Sequence, residues 1–339
     1  MKKLKREEHF LKYTWVLFIL ASLMSCKKTT YELTDPSTAG VWTIMNSNLP
    51  SNSIRDIKRD TRGNLWIAFQ GGGVGVISKV GEWTYYNSGN SALISNSVIS
   101  LGPTLDGGMI IGTLNGISIR SADGQWSSYK DTTVTSMVVN CIKVASDGTI
   151  WLGTEGNGIY YSYGSGYSQY YNANYSNVHS IEEDNLGNIF AGTDNGLLKW
   201  DGKQLWLFTI ADGLPDNFVQ ALYFDSRNRL WIGTSGGATV GWMNTTTGGV
   251  TQLSLLNSYA GSFVRSIYED RRGYIWFATW FDGLVEYNNV VPFTYKKYNG
   301  FYEDDVNCIG DDSDGNLWIG LYSNGLVKYT LPINNTAEK

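Results

Sequence analysis

Gly148-Thr149-Ile150-Trp151-Leu152-Gly153-Thr154 is a turn, a short Trp-centred run of strand formers and a second glycine, and the pattern occurs seven times in 339 residues. The other copies are Gly63-Asn64-Leu65-Trp66-Ile67-Ala68, Gly107-Gly108-Met109-Ile110-Ile111-Gly112-Thr113, Gly187-Asn188-Ile189-Phe190-Ala191-Gly192-Thr193, Asn228-Arg229-Leu230-Trp231-Ile232-Gly233-Thr234, Gly273-Tyr274-Ile275-Trp276-Phe277-Ala278-Thr279 and Gly315-Asn316-Leu317-Trp318-Ile319-Gly320. Trp66 is thus matched by Ile110, Trp151, Phe190, Trp231, Trp276 and Trp318, at spacings of 44, 41, 39, 41, 45 and 42 residues. A period near 40 with several short strands per unit predicts the blades of a propeller.

Each unit holds four short apolar runs separated by Gly, Asn and Asp, the sequence form of strands joined by tight turns. Strand A is a Val-x-x-Ile run: Ile54 to Ile57, Val98 to Leu101, Val139 to Ile142, Val178 to Ile181, Val219 to Leu222, Val264 to Ile267 and Val306 to Ile309. Strand B is the Trp run, almost continuously apolar, as expected when both faces of a blade pack on neighbours. A Gly-Leu-like turn opens strand C, as at Asn195-Gly196-Leu197-Leu198, and an aromatic segment such as Trp83-Thr84-Tyr85-Tyr86 forms strand D. The seventh unit stops near Thr330 without a strand D, and Trp42-Thr43-Ile44 ahead of the first strand A supplies the missing one. The expected fold is therefore an all-β, seven-bladed β-propeller over 41–331, its ring closed by an N-terminal strand in the last blade, which removes the exposed edges of an open array. At about 300 residues roughly 75% of the unfolded surface is buried, so most of the 13 tryptophans are expected between blades.

Residues 1–25 read as a leader: Lys2, Lys3, Lys5 and Arg6 precede an apolar stretch from Tyr13 to Leu23, too short to span a membrane. Leu23-Met24-Ser25-Cys26 resembles a bacterial lipoprotein signal, which implies cleavage before Cys26 and its acylation, with 26–40 as linker and 332–339 as tail. An ordinary secretory signal with an incidental cysteine is the alternative. The resemblance, with Lys27 and Lys28 and no Asp after Cys26, implies an outer membrane lipoprotein on the periplasmic or cell-surface side, touching the membrane by its lipid alone.

Loss of residues 1–25 leaves 21 basic and 29 acidic side chains, and such an acidic chain is an unsuitable partner for nucleic acid. Cys141 and Cys308 hold the same strand-A position in blades three and seven. Those blades are not neighbours, so free buried thiols are expected rather than a disulfide.

The combination of Asp, Gly, Leu-Trp-Ile-Gly-Thr and Gly-Leu resembles the two-component regulator propeller repeat family, found as the periplasmic sensor region of hybrid histidine kinases and in free-standing secreted proteins. The resemblance implies a ligand-binding, sensor-like propeller, and a glycan ligand because the sensor relatives are associated with polysaccharide use. No kinase, receiver or DNA-binding segment is present in this sequence, so phosphotransfer is not expected of it. Ser146-Asp147-Gly148 and Ser313-Asp314-Gly315 are similar to the Asp-box of sialidases, where the Asp stabilises a hairpin.

Two enzyme readings compete. A streptogramin-type propeller lyase uses several histidines and a metal, whereas His179 is the one histidine after residue 25. A glycosidase needs two carboxylates at a defined separation, for which Glu155, Asp194, Asp282 and Asp305 are available. The favoured reading is non-catalytic, with no cofactor or metal, and the partner a glycan or an envelope protein bound by a scaffold.

In a propeller the D-to-A and B-to-C connections surround one mouth of the central channel. The second position of strand A reads Arg55, Ile99, Asn140, His179, Gln220, Arg265 and Asn307, six of them polar. These residues either line a ligand site or satisfy one another and buried water. The B-to-C turns add Phe69-Gln70, Glu155, Trp280-Phe281-Asp282 and Tyr322-Ser323-Asn324. Trp280, Phe281 and Tyr322 are expected to form a stacking platform for a sugar ring, with Asp282, Asn324 and Arg265 as hydrogen-bond partners. Packing of Trp280 on its own blade is the alternative.

Overall fold

A computed structural model describes residues 40–128, 137–162, 166–171, 177–235, 240–245, 247–253, 256 and 263–332. The leader, Cys26 and residues 333–339 lie outside the described residues. Seven four-stranded antiparallel sheets follow one another along the chain, each in the order A-B-C-D. The inner strands are Ile54–Arg59, Val98–Pro103, Val139–Val144, Val178–Glu183, Val219–Phe224, Val264–Glu269 and Val306–Asp311, each about two residues longer than the apolar run predicts. Each lies beside the strand A of the blades before and after it, and Val306–Asp311 lies against Ile54–Arg59, which closes the ring.

Closure uses the expected strand. Val41–Met45 pairs antiparallel with Leu326–Thr330, from Val41 opposite Thr330 to Met45 opposite Leu326. Trp42 stacks on Tyr329 at 4.1 Å and meets Tyr295 of the preceding blade at 5.0 Å, so aromatic contact reinforces the hydrogen-bonded seam.

The core lies between blades. Trp66, Trp231 and Trp276 are at most 1% exposed, and the glycine after the Trp explains the recurring Trp-x-Gly. A Cβ on Gly153 would stand 2.3 Å from Cys141 Sγ and 2.7 Å from Val178 Cγ1 of the next blade, and one on Gly320 would stand 2.4 Å from Cys308 Sγ and 2.6 Å from Ile54 Cγ2. In five of the seven blades the first residue of the next strand A needs the space that a side chain there would take, while Ala68 and Ala278 hold the position in blades one and six.

A second fastener was only partly visible in the sequence. Asp60, Asp225, Asp270 and Asp312 end their inner strands, receive the backbone N–H groups of the A-to-B turn and accept the indole N–H of the following Trp at 2.8–3.0 Å. In blade seven the carboxylate that organises the hairpin is that of Asp312, not Asp314; in blade three Asp147 does accept the N–H of Thr149 at 2.8 Å. Burial works to raise the Asp312 carboxyl, but hydrogen bonds from Trp318, Asn316 and Lys328 outweigh it and hold the group at about 2.

Candidate binding site

One irregularity occurs in every blade. The first residue of strand A pairs with the last of strand B and the third pairs with the next, as in Val178 opposite Thr193 and Ser180 opposite Gly192, so the second residue is left unpaired as a β-bulge. A bulge twists the strand and redirects the extra side chain. The seven redirected residues are Arg55, Ile99, Asn140, His179, Gln220, Arg265 and Asn307, and all line a central cavity of about 630 Å³.

Around the mouth the side chains fall into two arcs. His179 Nε2 lies 2.6 Å from Asp194 Oδ1, while Asn177 donates to Asp194 Oδ2 at 2.5 Å. The His179 ring stacks on Phe218 at 4.8 Å, Phe218 meets Phe263 at 6.0 Å, Phe263 meets Trp280 edge-on at 5.7 Å, and Trp280 lies parallel to Phe281 at 5.0 Å. An aromatic arc thus runs across blades four to six. A polar arc continues through blades six, seven and one: Arg265 Nη1 donates to Asn307 Oδ1 at 2.6 Å, and Asn307 Nδ2 donates to the carbonyl of Ile54, next to Arg55, at 2.8 Å. The guanidinium carbon of Arg265 stands 4.2 Å from the centre of the Trp280 ring, a cation–π contact. Burial, and after it the charge of Arg55, pushes the Arg265 guanidinium down to about 10, so it is cationic at neutral pH at a cost in free energy.

Phe218 and Phe263 line the cavity and were not singled out by the sequence reading; the available signal was an aromatic directly before the Val of strand A. Trp280 packs on its own blade, against Phe263 and Arg265. The outward aromatic is Phe281, 62% exposed. Its φ of +76° matches that of Gly71 and Gly156 at the same place in the turns of blades one and three. A bulky residue in the left-handed region is held there at a cost, and such strain clusters at functional sites.

Most of the other predicted residues stand apart from the cavity. Phe69 is corrected: it is the last residue of strand B, Leu65–Phe69, fully buried in the core between blades one and seven, and cannot meet a ligand. Gln70 is exposed beyond it, its N–H on the carbonyl of Ser53. Asp282 pairs with Lys296 at 2.8 Å, and Asn324 uses its N–H on Glu303 and its amide on the carbonyl of Tyr302, so both serve their turns. Tyr322 is 43% exposed, and Glu155 lines the cavity.

The far ends of the inner strands carry a different set. Lys143 meets Glu182 at 2.7 Å, Arg59 meets Asp311 at 3.3 Å and Lys58 meets Asp56 at 3.9 Å. Cys308 is buried and Cys141 half-buried, both free, and burial pushes both thiols up, away from the reactive thiolate. Among the described residues no group of three or more His, Cys, Asp or Glu side chains is placed to hold a metal ion, and no helix is long and apolar enough to cross a membrane.

Five stretches, 48–71, 133–156, 213–236, 258–281 and 303–323, match the model of the two component regulator propeller family. No curated protein matches the chain. Among solved structures, the extracellular domain of a hybrid two component system from B. thetaiotaomicron is similar at 22% identity and a TM-score of 0.73 over 86% of this chain, which spans only 41% of that one. Virginiamycin B lyase from Staphylococcus aureus is similar at 16% identity and a TM-score of 0.70, covering 86% of this chain and 99% of the lyase. PorZ, a surface component of the type-IX secretion system of Porphyromonas gingivalis, is similar at 14% identity and a TM-score of 0.66, over 84% of this chain and 48% of PorZ. At such identities the likeness is one of fold.

Proposed function

We propose that this chain, which carries two-component regulator propeller repeats, is a non-catalytic, sensor-like binding module of the bacterial cell envelope, that its ligand is a glycan, and that Cys26 carries its lipid anchor. The observation that carries the reading is the set of seven bulges, which turns one residue per blade into a single mouth beside an aromatic arc. Aromatic faces with a few convergent polar groups are the makings of a saccharide site. An extracellular sensor domain among the similar folds supports the envelope setting. A lyase-type reaction has less support: His179 is the one histidine after residue 25, and its Nε2 is engaged by Asp194.

A thermal-shift screen of the protein against neutral and acidic soluble oligosaccharides tests the reading. Ligand at about 100 times its Kd adds about 2.7 kcal/mol, and the shift should disappear in Phe281→Ala while that variant still folds. No saturable shift with any saccharide would overturn it. Fractionation of Cys26→Ser, which should leave the membrane fraction, tests the anchor. A scaffold reading has one observation of its own: Val290, Val291, Phe293 and Tyr298 on blade six are 71%, 52%, 45% and 81% exposed, and co-purification lost on Val291→Asp would favour it.

A further inference from the structure

Arg55, Asn307 and Arg265 project into the mouth from three consecutive blades, with Asn307 hydrogen-bonded towards both neighbours. Asn307 receives Arg265 on its carbonyl and donates to the backbone beside Arg55. Among the described residues neither arginine forms an ion pair with an acid, although acids stand close by. Asp194 is taken by His179 and Asn177; Asp305 receives the N–H of Phe281 at 3.0 Å; Asp56 receives the N–H groups of Ile57 and Leu101, both at 2.9 Å. The Nε of Arg265 is buried and has no hydrogen-bond partner. Buried polar groups are nearly always satisfied, and an exception calls for an explanation.

We propose that Arg55 and Arg265 together hold the anionic group, a carboxylate or sulfate, of an acidic saccharide whose ring rests on Phe281. The inference rests on the saccharide reading above and adds the charge of the ligand. Guanidinium forks fit planar and tetrahedral oxyanions through paired N–H donors, and two forks kept together without an acid repel each other until such a group arrives. Burial is the main cause of the lowered guanidinium of Arg265, the charge of Arg55 adds to it, and Asp305 offsets part of it. Trp280 orders both halves of the site, since Arg265 lies over its ring and Phe281 lies parallel to it. The exposed ring of Phe281 favours a saccharide over an acidic peptide.

The test is calorimetric binding of four probes to the full protein: tetragalacturonate, a heparin tetrasaccharide, neutral galactotetraose and a tetraglutamate peptide. The expected result is that one of the acidic saccharides binds at least tenfold more tightly than galactotetraose. Arg55→Gln and Arg265→Gln should each remove that advantage, bringing the acidic saccharide down to the affinity of galactotetraose. The preferred acidic probe tells carboxylate from sulfate, and its affinity should fall with added salt. Equal binding of neutral and acidic saccharides, untouched by Arg55→Gln, would overturn the anion site while leaving the saccharide reading intact. Tetraglutamate binding as tightly as either acidic saccharide, and insensitive to Phe281→Ala, would overturn the saccharide and keep an anion site. No binding of any probe would overturn both. Because Arg265 is partly packed, Arg55→Gln is the deciding variant, and an unchanged melting temperature certifies its fold.

Discussion

At the far ends of the inner strands Lys143, Arg59 and Lys58 each meet an acid, whereas at the beginnings of the same strands Arg55 and Arg265 meet none. Strands of one pattern thus end in two rims whose arginines and lysines are differently partnered. Coulomb attraction is strongest where water is scarce, so a chain selected only for folding would balance both rims. The balanced one contributes to stability; the unbalanced one stores repulsion and an orphaned donor at the place where the strands bulge and an aromatic is held in a glycine conformation.

The two rims should respond differently to substitution. The largest effect is expected in the shared scaffold: Asp270→Ala removes the acceptor of the Trp276 indole and of Arg272, leaving a buried cation with Glu286 alone. A loss of about 3–5 kcal/mol follows, read by urea unfolding, and both rims should fail in one transition. The equivalent Asp312 makes this fastening acid-sensitive. Its folded pKa of about 2 lies below the 3.8 of an ordinary aspartate, so its contribution is complete above 3.8 and disappears as pH falls through 2. In Asp312→Asn that part of the acid dependence should be missing.

Next in size is the balanced rim. Glu182→Ala leaves Lys143 without its acid and should cost about 1–3 kcal/mol, with ligand binding unchanged. Phe281→Gly should do the reverse, changing stability by no more than about 1 kcal/mol because the left-handed strain is relieved while chain entropy is lost, yet abolishing saccharide binding. Smallest is Arg55→Gln, with stability within about 0.5 kcal/mol of the parent or slightly above it. A large loss of stability there would show that the unbalanced rim is structural after all.

The ring was legible because its determinants are local and repeated. Trp66 and its counterparts mark strand B, and the aromatic Trp42 betrays the closing strand. The inward residues were legible as a column, but not the reason: a bulge leaves no mark in composition, only in pairing. Phe69 was misread because the position ending strand B holds Thr in five other blades, so an aromatic there looked like part of the turn rather than of the core. Phe218 and Phe263 escaped notice since an apolar residue before a strand is ordinary until its neighbours across blades are known. The partnering of Asp282 with Lys296 is set by loop geometry that no spacing rule encodes.

The seam of blade seven has a mechanical meaning. Val41–Met45 and its rungs to Leu326–Thr330 form the strand-to-strand seam that joins the beginning of the ring to its end, and the rung at Val41 comes first along the chain. A pull on residue 41 therefore loads these rungs one after another, like a zipper, with the stacked Trp42 as its second tooth. Traction from the N-terminal side would open the circle at blade seven, whose inner strand carries the Asn307 that links Arg265 to the backbone beside Arg55.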